Sequence, residues 1–329
     1  PNILNKEDLN KLRDVIDTGK ITGTDIGSIK GYGVGVYLDG GTLDASSPTL
    51  DYTATGNSGN GIIGLLLKGN TNISGYTRKI KVGNTAGTNY AIAMYADGQG
   101  TSGTAKNISA ALETGENGVG LFAENGSNIN YTGQMTIGNG TKAGTAIYIG
   151  NNGGANPSTV TIGSGANILL KGENGVGAIV TKNSTVNFNP GSTIELQGTG
   201  VGLFGQKGAV INDNGGTFNN NGYSAERIRI TGGISRTTAN TTLTTGNVLT
   251  HVINGEAGIA SGVTVDAAAG SQKIIGLMAD GNKNDSKTGI TWNYPDYDAV
   301  NNGTLDLSNA TESTAMYLES SRGKNAGTI

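Results

Sequence analysis

A four-residue hydrophobic box recurs nine times along the chain, and this repetition limits the possible folds more than any other feature. The first residue of the box is β-branched, the second is Gly or Ala, the third is aliphatic and the fourth is large. The second residues are Gly35, Gly64, Ala93, Gly120, Ala146, Gly177, Gly202, Gly276 and Ala315. From Gly35 to Gly202 they follow one another at intervals of 25 to 31 residues, a period typical of solenoids. We expect these small residues to form a structural ladder against which another part of the chain packs closely.

Each period has room for three short strands. Val160 and Ile162 alternate with polar residues, and Ile168 and Leu170 do so after a glycine-containing turn. Alternating apolar residues predict strands, and the abundant glycine (57 of 329 residues) predicts frequent turns. We therefore expect an all-β fold, a right-handed parallel β-helix with coils of about 27 residues and short excursions. Equivalent residues of successive coils would then stack about 4.8 Å apart.

The beginning of the chain departs from the repeat. Leu9, Leu12 and Ile16 lie near helical spacing, and Gly19 follows them as a possible helix end. This pattern predicts a short amphipathic helix. Residues 1–29 are accordingly interpreted as a helix that forms a cap or an excursion, and the solenoid is expected to occupy residues 30–329.

Two later breaks in the repeat predict excursions from the solenoid. No clear box lies in the 74-residue interval from Gly202 to Gly276, which predicts an excursion at residues 219–273. A second excursion is predicted at residues 282–298, within the longer interval that precedes Ala315. Excursions from a rigid scaffold are a common location for recognition.

Few residues suit catalysis or metal binding. His251 is the only histidine, so neither a two-histidine metal site nor a histidine pair can form; we interpret it as an ordinary polar strand residue. The acidic residues are scattered, and Asp39 and Asp97 stand in Asp-Gly turns. Asp280–Asp285 begins like a calcium loop but lacks its glycine and its final glutamate. The sequence therefore predicts no enzyme activity, no cofactor and no metal.

Charge and hydropathy exclude two classes of partner. The formal charge is −3, whereas nucleic-acid binding requires a clustered basic surface. No apolar run approaches the roughly 18 residues of a membrane span. We expect neither nucleic-acid binding nor membrane insertion of this part of the chain.

Two groups of aromatic residues are candidates for partner contact. Trp292, Tyr294 and Tyr297 lie close together beside Pro295, and such side chains either pack into a core or anchor an interface. Our hypothesis is that these three residues bind the receptor. The second group is the fourth residue of the box, which is aromatic in six copies: Tyr37, Tyr95, Phe122, Tyr148, Phe204 and Tyr317. Strand alternation predicts that it shares a side with the small second residue, either as an interior stack or as an exposed strip for sugars.

The chain resembles the passenger domains of large type V autotransporter adhesins of the fusobacterial (RadD-like) group. The resemblance lies in boxes such as Gly118–Ala123, Gly175–Val180 and Gly200–Gly205, and in strings such as Asn183–Phe188. It implies a secreted β-helical passenger on the bacterial surface, with a C-terminal outer-membrane β-barrel elsewhere in the full protein. It also implies attachment to a host-cell receptor or glycan, or to partner bacteria. Two-partner-secreted haemagglutinins have similar repeats, and because the shared motif is scaffold, no binding residue is carried over.

Three hypotheses of function remain. The chain is an adhesin, a carbohydrate-active β-helix enzyme, or a passive stalk for a binding head elsewhere. Three or more acidic residues clustered on one face of the coils would favour the enzyme, because glycoside hydrolysis requires paired carboxyl groups.

Overall fold

The computed structural model describes residues 34–47, 49–53, 62–69, 71–83, 91–98, 105–150, 156–285 and 289–329. In these ranges the regular secondary structure is almost entirely β-strand, and parallel sheets stack as a β-helix of about 10 turns. The predicted fold class is confirmed. The helix expected within residues 1–29 lies outside the described residues.

The first wall of the β-helix is an 11-stranded parallel sheet that contains the hydrophobic boxes, and we call it the box sheet. Its strands, in spatial order, are β1 (Val34–Leu38), β3 (Ile62–Lys68), β5 (Ala91–Asp97), β8 (Val119–Glu124), β11 (Thr145–Ile149), β14 (Gly175–Val180), β17 (Gly200–Gly205), β20 (Ala225–Thr231), β23 (Asn247–Ile253), β26 (Ile275–Asp280) and β29 (Thr314–Glu319). Sequence order and spatial order agree, because each coil contributes one strand and stacks on the coil before it.

The second wall is a nine-stranded sheet. Its strands are β6 (Lys106–Ile108), β9 (Asn128–Tyr131), β12 (Thr159–Ile162), β15 (Thr185–Phe188), β18 (Val210–Asp213), β21 (Ile234–Thr237), β24 (Glu256–Ile259), β27 (Ala299–Asn301) and β30 (Gly323–Asn325). Apolar residues of this wall, such as Val160 and Ile162, are fully buried, as their alternation with polar residues predicts.

The third wall consists of two separate sheets. A seven-stranded sheet contains β2 (Leu50–Thr53), β4 (Lys79–Gly83), β7 (Ala111–Thr114), β10 (Gln134–Ile137), β13 (Asn167–Leu170), β16 (Thr193–Leu196) and β19 (Thr217–Asn219). A three-stranded sheet contains β22 (Thr241–Leu243), β25 (Thr264–Ala267) and β28 (Thr304–Asp306). The core lies between the three walls, where one continuous cluster of buried apolar side chains runs along the molecule.

Within the box, the inward and outward residues do not follow strict alternation. In β8, Gly120 and Leu121 are both buried, whereas Val119 and Phe122 are half-buried. The pairing of β8 with β11 passes from Val119 to Leu121 and omits Gly120. The second residue therefore interrupts the alternation, and the prediction that the second and fourth residues share a side is wrong. The small second residues face inward, and those of the first eight boxes are buried.

Residues 219–273 form regular coils, so the excursion predicted there is wrong. Strands β20 and β23 lie in register with β17 and β26, and they place Arg227 and Leu249 where other coils have a small second residue. Arg227 is only 3 % exposed, and its guanidinium donates two hydrogen bonds to Asp213, at 2.7 and 2.9 Å. At these coils the third wall changes from the seven-stranded to the three-stranded sheet. The coils were missed because two large side chains replace the residue that marks the repeat.

Residues 281–298 connect β26 to β27. Their described part contains a short 3-10 helix, Lys283–Asp285, and polar turns. We call these residues the excursion. Within the described ranges, no helix has the length and hydropathy needed to cross a membrane.

Candidate functional site

The fourth residues of the boxes form a column on the outer face of the box sheet. Register places Tyr37, Leu66, Tyr95, Phe122, Tyr148, Ile179, Phe204, Arg229, His251, Met278 and Tyr317 side by side on successive strands. Most of these side chains are half-buried, and Tyr317 is 44 % exposed. The aromatic residues are therefore not an interior stack.

Three neighbouring rings of this column stack face to face. The ring centroids of Tyr95 and Phe122 are 4.9 Å apart with an angle of 6° between the planes. Those of Phe122 and Tyr148 are 4.6 Å apart with an angle of 17°. Because the rings stack along the direction in which coils stack, each covers a face of the next, and mainly ring edges point outward. Sugar stacking requires an open ring face, so these three side chains do not form a sugar platform.

A row of charged residues borders the aromatic column two positions further along the strands. Asp39, Lys68, Asp97 and Glu124 occupy this row in the first four coils. The ammonium of Lys68 lies 2.5 Å from a carboxylate oxygen of Asp97, whose other oxygen accepts a hydrogen bond from Asn125 at 2.8 Å. The hydrogen bond to Asp97 raises the pKa of Lys68.

Glu124 belongs to the same row but has a different environment. It accepts a hydrogen bond from the hydroxyl of Tyr95, and burial raises the pKa of its carboxyl group. Its main chain lies opposite Asp97 on the neighbouring strand. Three carboxylates thus share one outer row, a grouping that the scattered positions in the sequence did not reveal.

A charged cluster interrupts the aromatic column at β20 and β23. Nε2 of His251 is 2.5 Å from Asp280 Oδ2, and Nδ1 is 3.2 Å from Glu226 Oε1. Arg229 donates a hydrogen bond of 3.2 Å to the same oxygen of Glu226. Glu226 first, and Asp280 in addition, raise the pKa of His251 against the opposing effect of burial. His251 is therefore more than the ordinary strand residue expected from the sequence.

The excursion is organised around the buried side chain of Lys283. This residue is 0 % exposed, and its ammonium donates hydrogen bonds to the carbonyl oxygens of Tyr294, at 2.8 Å, and Tyr297. Asp298 accepts a hydrogen bond from the Lys283 main-chain amide at 2.9 Å. Desolvation is the main cause that lowers the pKa of Lys283, while Asp298 opposes it. The ammonium thus holds the two ends of the excursion together.

Glu256 of β24 joins the excursion to the nine-stranded sheet. Its side chain is 1 % exposed, and its carboxylate accepts hydrogen bonds from the main-chain amides of Asn293, at 3.2 Å, and Tyr294, at 2.7 Å. The Tyr294 ring lies over Gly258, where an added Cβ would be 3.1 Å from it. Asn302 donates a hydrogen bond of 2.9 Å to the Tyr294 hydroxyl. Tyr294 therefore packs against the scaffold.

Trp292 and Tyr297 take different positions in the excursion. The Lys324 ammonium lies 5.5 Å from the centroid of the Tyr297 ring, and the Lys283 ammonium lies 5.6 Å from that of Trp292. Trp292 is half-buried, with exposed Asn293 and Pro295 nearby. The structure thus gathers the three predicted residues in one excursion, and Trp292 stands among exposed neighbours. The anchor formed by Lys283, Glu256 and Asp298 was missed because buried charges carry no local sequence signal.

In the part of the chain that the structure describes, no group of three or more histidine, aspartate or glutamate side chains is placed to hold a metal ion.

Comparisons with protein-family models, with curated proteins and with solved structures find no match to this chain.

Proposed function

We propose that this chain is the β-helical part of a bacterial surface adhesin, which attaches to host cells or to partner bacteria through the excursion at residues 281–298. In this proposal it is an extracellular passenger domain that binds a receptor or a glycan, and the full protein continues into a C-terminal outer-membrane β-barrel. The repeat style described above supports the assignment to this class.

The buried anchor of the excursion is the observation that carries the proposal. Lys283, Glu256 and Asp298 are each at most 2 % exposed, and burial of charged groups is costly unless they are well paired. Their hydrogen bonds fix residues of the excursion, while the regular coils elsewhere are stabilised by ladders of apolar side chains. A loop that is fixed before binding loses less conformational entropy when a partner binds. This arrangement supports a role for the excursion in recognition.

Trp292 is the residue we propose for the main contact. Tryptophan combines a large apolar area with a polar N–H group, and such side chains often dominate an interface. The Lys283 ammonium beside the ring restricts its orientation. In this proposal Tyr294 and Tyr297 contribute to binding indirectly, because they stabilise the conformation of the excursion.

The test is attachment of host cells and partner bacteria to the immobilised chain. Trp292→Ala is expected to weaken attachment at least tenfold and to leave the β-sheet circular dichroism unchanged. Tyr223→Ala is the matched control, because Tyr223 is an aromatic residue that is 41 % exposed in a turn elsewhere; it should have no effect. If a short turn can replace residues 282–297 without loss of attachment, another surface of the chain binds the partner and the proposal fails. If the wild-type chain itself does not support attachment, the chain is a stalk.

The outer acidic row favours one second candidate, a carbohydrate-active enzyme. Asp97 and Glu124 face each other on neighbouring strands, and their environments differ: Lys68 pairs with Asp97, whereas burial raises the pKa of Glu124. Glycoside hydrolysis uses a pair of carboxyl groups in different environments, one as the acid and the other as the base or nucleophile. Release of reducing ends from a polysaccharide panel, abolished by Glu124→Gln, would establish this function in place of adhesion.

A further inference from the structure

The outer face of the box sheet carries an apolar strip that is separate from the excursion. We define the strip on the seven strands β1, β3, β5, β8, β11, β14 and β17 by the fourth box residues of all seven and the first box residues of the last six. Its described half-buried side chains are Ile63, Ile92, Val119, Thr145, Val176 and Val201 in one column, and Tyr37, Leu66, Tyr95, Phe122, Tyr148, Ile179 and Phe204 in the other. These side chains are partly accessible to solvent, and contiguous accessible apolar surface is typical of interaction sites.

We propose that this strip binds an amphipathic helix of a partner protein, whose apolar stripe is bordered on one side by lysine or arginine. The proposal concerns a second contact surface, and it does not depend on the excursion.

The dimensions of the strip fit a helix. Seven strands are separated by six steps of about 4.8 Å, which gives a length of about 29 Å. The two columns stand three residues apart along each strand, or about 10 Å. A helix of 20 residues is about 30 Å long and about 10 Å in diameter. One helix laid along the direction of coil stacking would therefore cover the strip.

The charged row beside the strip determines which residues should flank the apolar stripe of the partner helix. The row that flanks the strip in the first four coils contains Asp39, Asp97 and Glu124 but only one lysine, Lys68. Lys68 is already paired with Asp97. A basic row on the partner would complement this acidic border, whereas an acidic row would be repelled. At the other end, the Glu226–Arg229 ion pair terminates the strip.

The orientation of the rings favours a helix over a glycan. Tyr95, Phe122 and Tyr148 cover one another's faces, so the strip offers ring edges and aliphatic groups. Apolar side chains can pack against such a surface, whereas a sugar ring needs an open aromatic face.

The experiment measures binding of three synthetic 20-residue peptides to the purified chain by fluorescence anisotropy. The first has an apolar stripe bordered by lysines, the second has glutamates in place of those lysines, and the third is a scrambled version. We expect the lysine peptide to bind at least tenfold more tightly than the other two and to gain helical circular dichroism. Equal affinity for the lysine and glutamate peptides, or no binding above the scrambled peptide, would overturn the proposal.

Two variants locate the site. Val176→Lys, on the sixth of the seven strands of the strip, should weaken binding of the lysine peptide at least tenfold. Val248→Lys is the matched control, because Val248 has the same position in its box and is also half-buried, but lies beyond the charged end of the strip; it should change the affinity less than twofold. If Val176→Lys does not fold, Asp97→Asn with Glu124→Gln tests the border instead and should abolish the preference for lysine over glutamate.

Other occupants of the strip give different outcomes, each of which rejects the proposal. The helix expected within residues 1–29 occupies it if deletion of residues 1–29 is required before the peptide binds. A second copy occupies it if sedimentation detects a dimer that Val176→Lys abolishes. A glycan occupies it if cellohexaose binds the wild type but not Val176→Lys. Trp292→Ala is expected to weaken cell attachment and to leave peptide binding unchanged. Each proposal can therefore fail without the other.

Discussion

At the scale of single residues, the second position of the box leaves almost no space between the first and third walls. A Cβ added to Gly120 would lie 2.7 Å from the Ala146 carbonyl oxygen and 2.8 Å from the sulfur of Met135. Both distances are shorter than an ordinary van der Waals contact. The small residue therefore lets the box sheet approach the side chains of the seven-stranded sheet.

Replacement of Gly120 by leucine should destabilise the chain by about 3 kcal/mol, because the added side chain overpacks the core. Gly140→Ala is the control: Gly140 has a φ of 96°, but nothing lies within 4 Å of its added Cβ, so only backbone strain of about 1–2 kcal/mol is expected. Urea unfolding measures both changes. Equal losses in the two variants would contradict a packing role for Gly120.

Arg227 gives a second prediction at this scale, because it occupies the second position of its box as a buried charge. Asp213→Leu removes its partner and should cost about 3–5 kcal/mol. Adding Arg227→Met to that variant should recover most of the loss, because no unpaired charge remains. A double-mutant cycle in urea measures this coupling. If the loss of unfolding free energy in the double variant equals the sum of the losses in the two single variants, the two side chains do not stabilise each other.

Residue types in the sequence predicted most of the fold but only part of the candidate site. Nine boxes were recognised because their second residues are small, and the two coils with Arg227 and Leu249 were not. The sequence did contain a signal for the first of these coils. Arg227 lies 25 residues after Gly202, and Ile228 and Ile230 follow it in alternation. The anchor of the excursion could not be predicted, because Glu256 meets Tyr294 only after the coil register is known.

At the scale of elements, the cluster around His251 links three strands of the box sheet by charge. Glu226 and Arg229 come from β20, His251 from β23 and Asp280 from β26; Met278, the next residue of the column, is uncharged. A protonated imidazole attracts both carboxylates and can donate to each, whereas a neutral one has no net charge and a single N–H to donate. The contact between these coils should therefore depend on pH.

The pKa of His251 is raised in the folded chain, so its contribution to stability has a defined sign. The contribution is fully present below the pKa of an unfolded histidine, about 6.5, and it is lost as the pH rises through the higher folded value. The difference in unfolding free energy between wild type and His251→Gln should therefore shrink as the pH rises above about 6.5. A difference that grows with pH would exclude the attraction described here.

At the scale of the whole molecule, the chain is a stack of coils in which each coil contacts mainly its neighbours. Stability of such a protein is approximately a sum of coil and interface contributions. Residues 175–199 form one complete coil, β14 to β16, and Gly200 follows in the place that Gly175 holds. Removal of this coil would bring Thr145 opposite Val201 with the small-residue ladder unbroken.

Deletion of residues 175–199 should therefore give a folded chain with the same β-sheet circular dichroism per residue and a slightly smaller urea m-value, because less surface becomes exposed on unfolding. Deletion of residues 175–186 is the control. It removes β14 and part of the next strand, so inward and outward residues no longer match those of the neighbouring coils, and the chain should unfold or aggregate. Rapid proteolysis of both variants would mean that this coil cannot be exchanged for its neighbour, whatever the register.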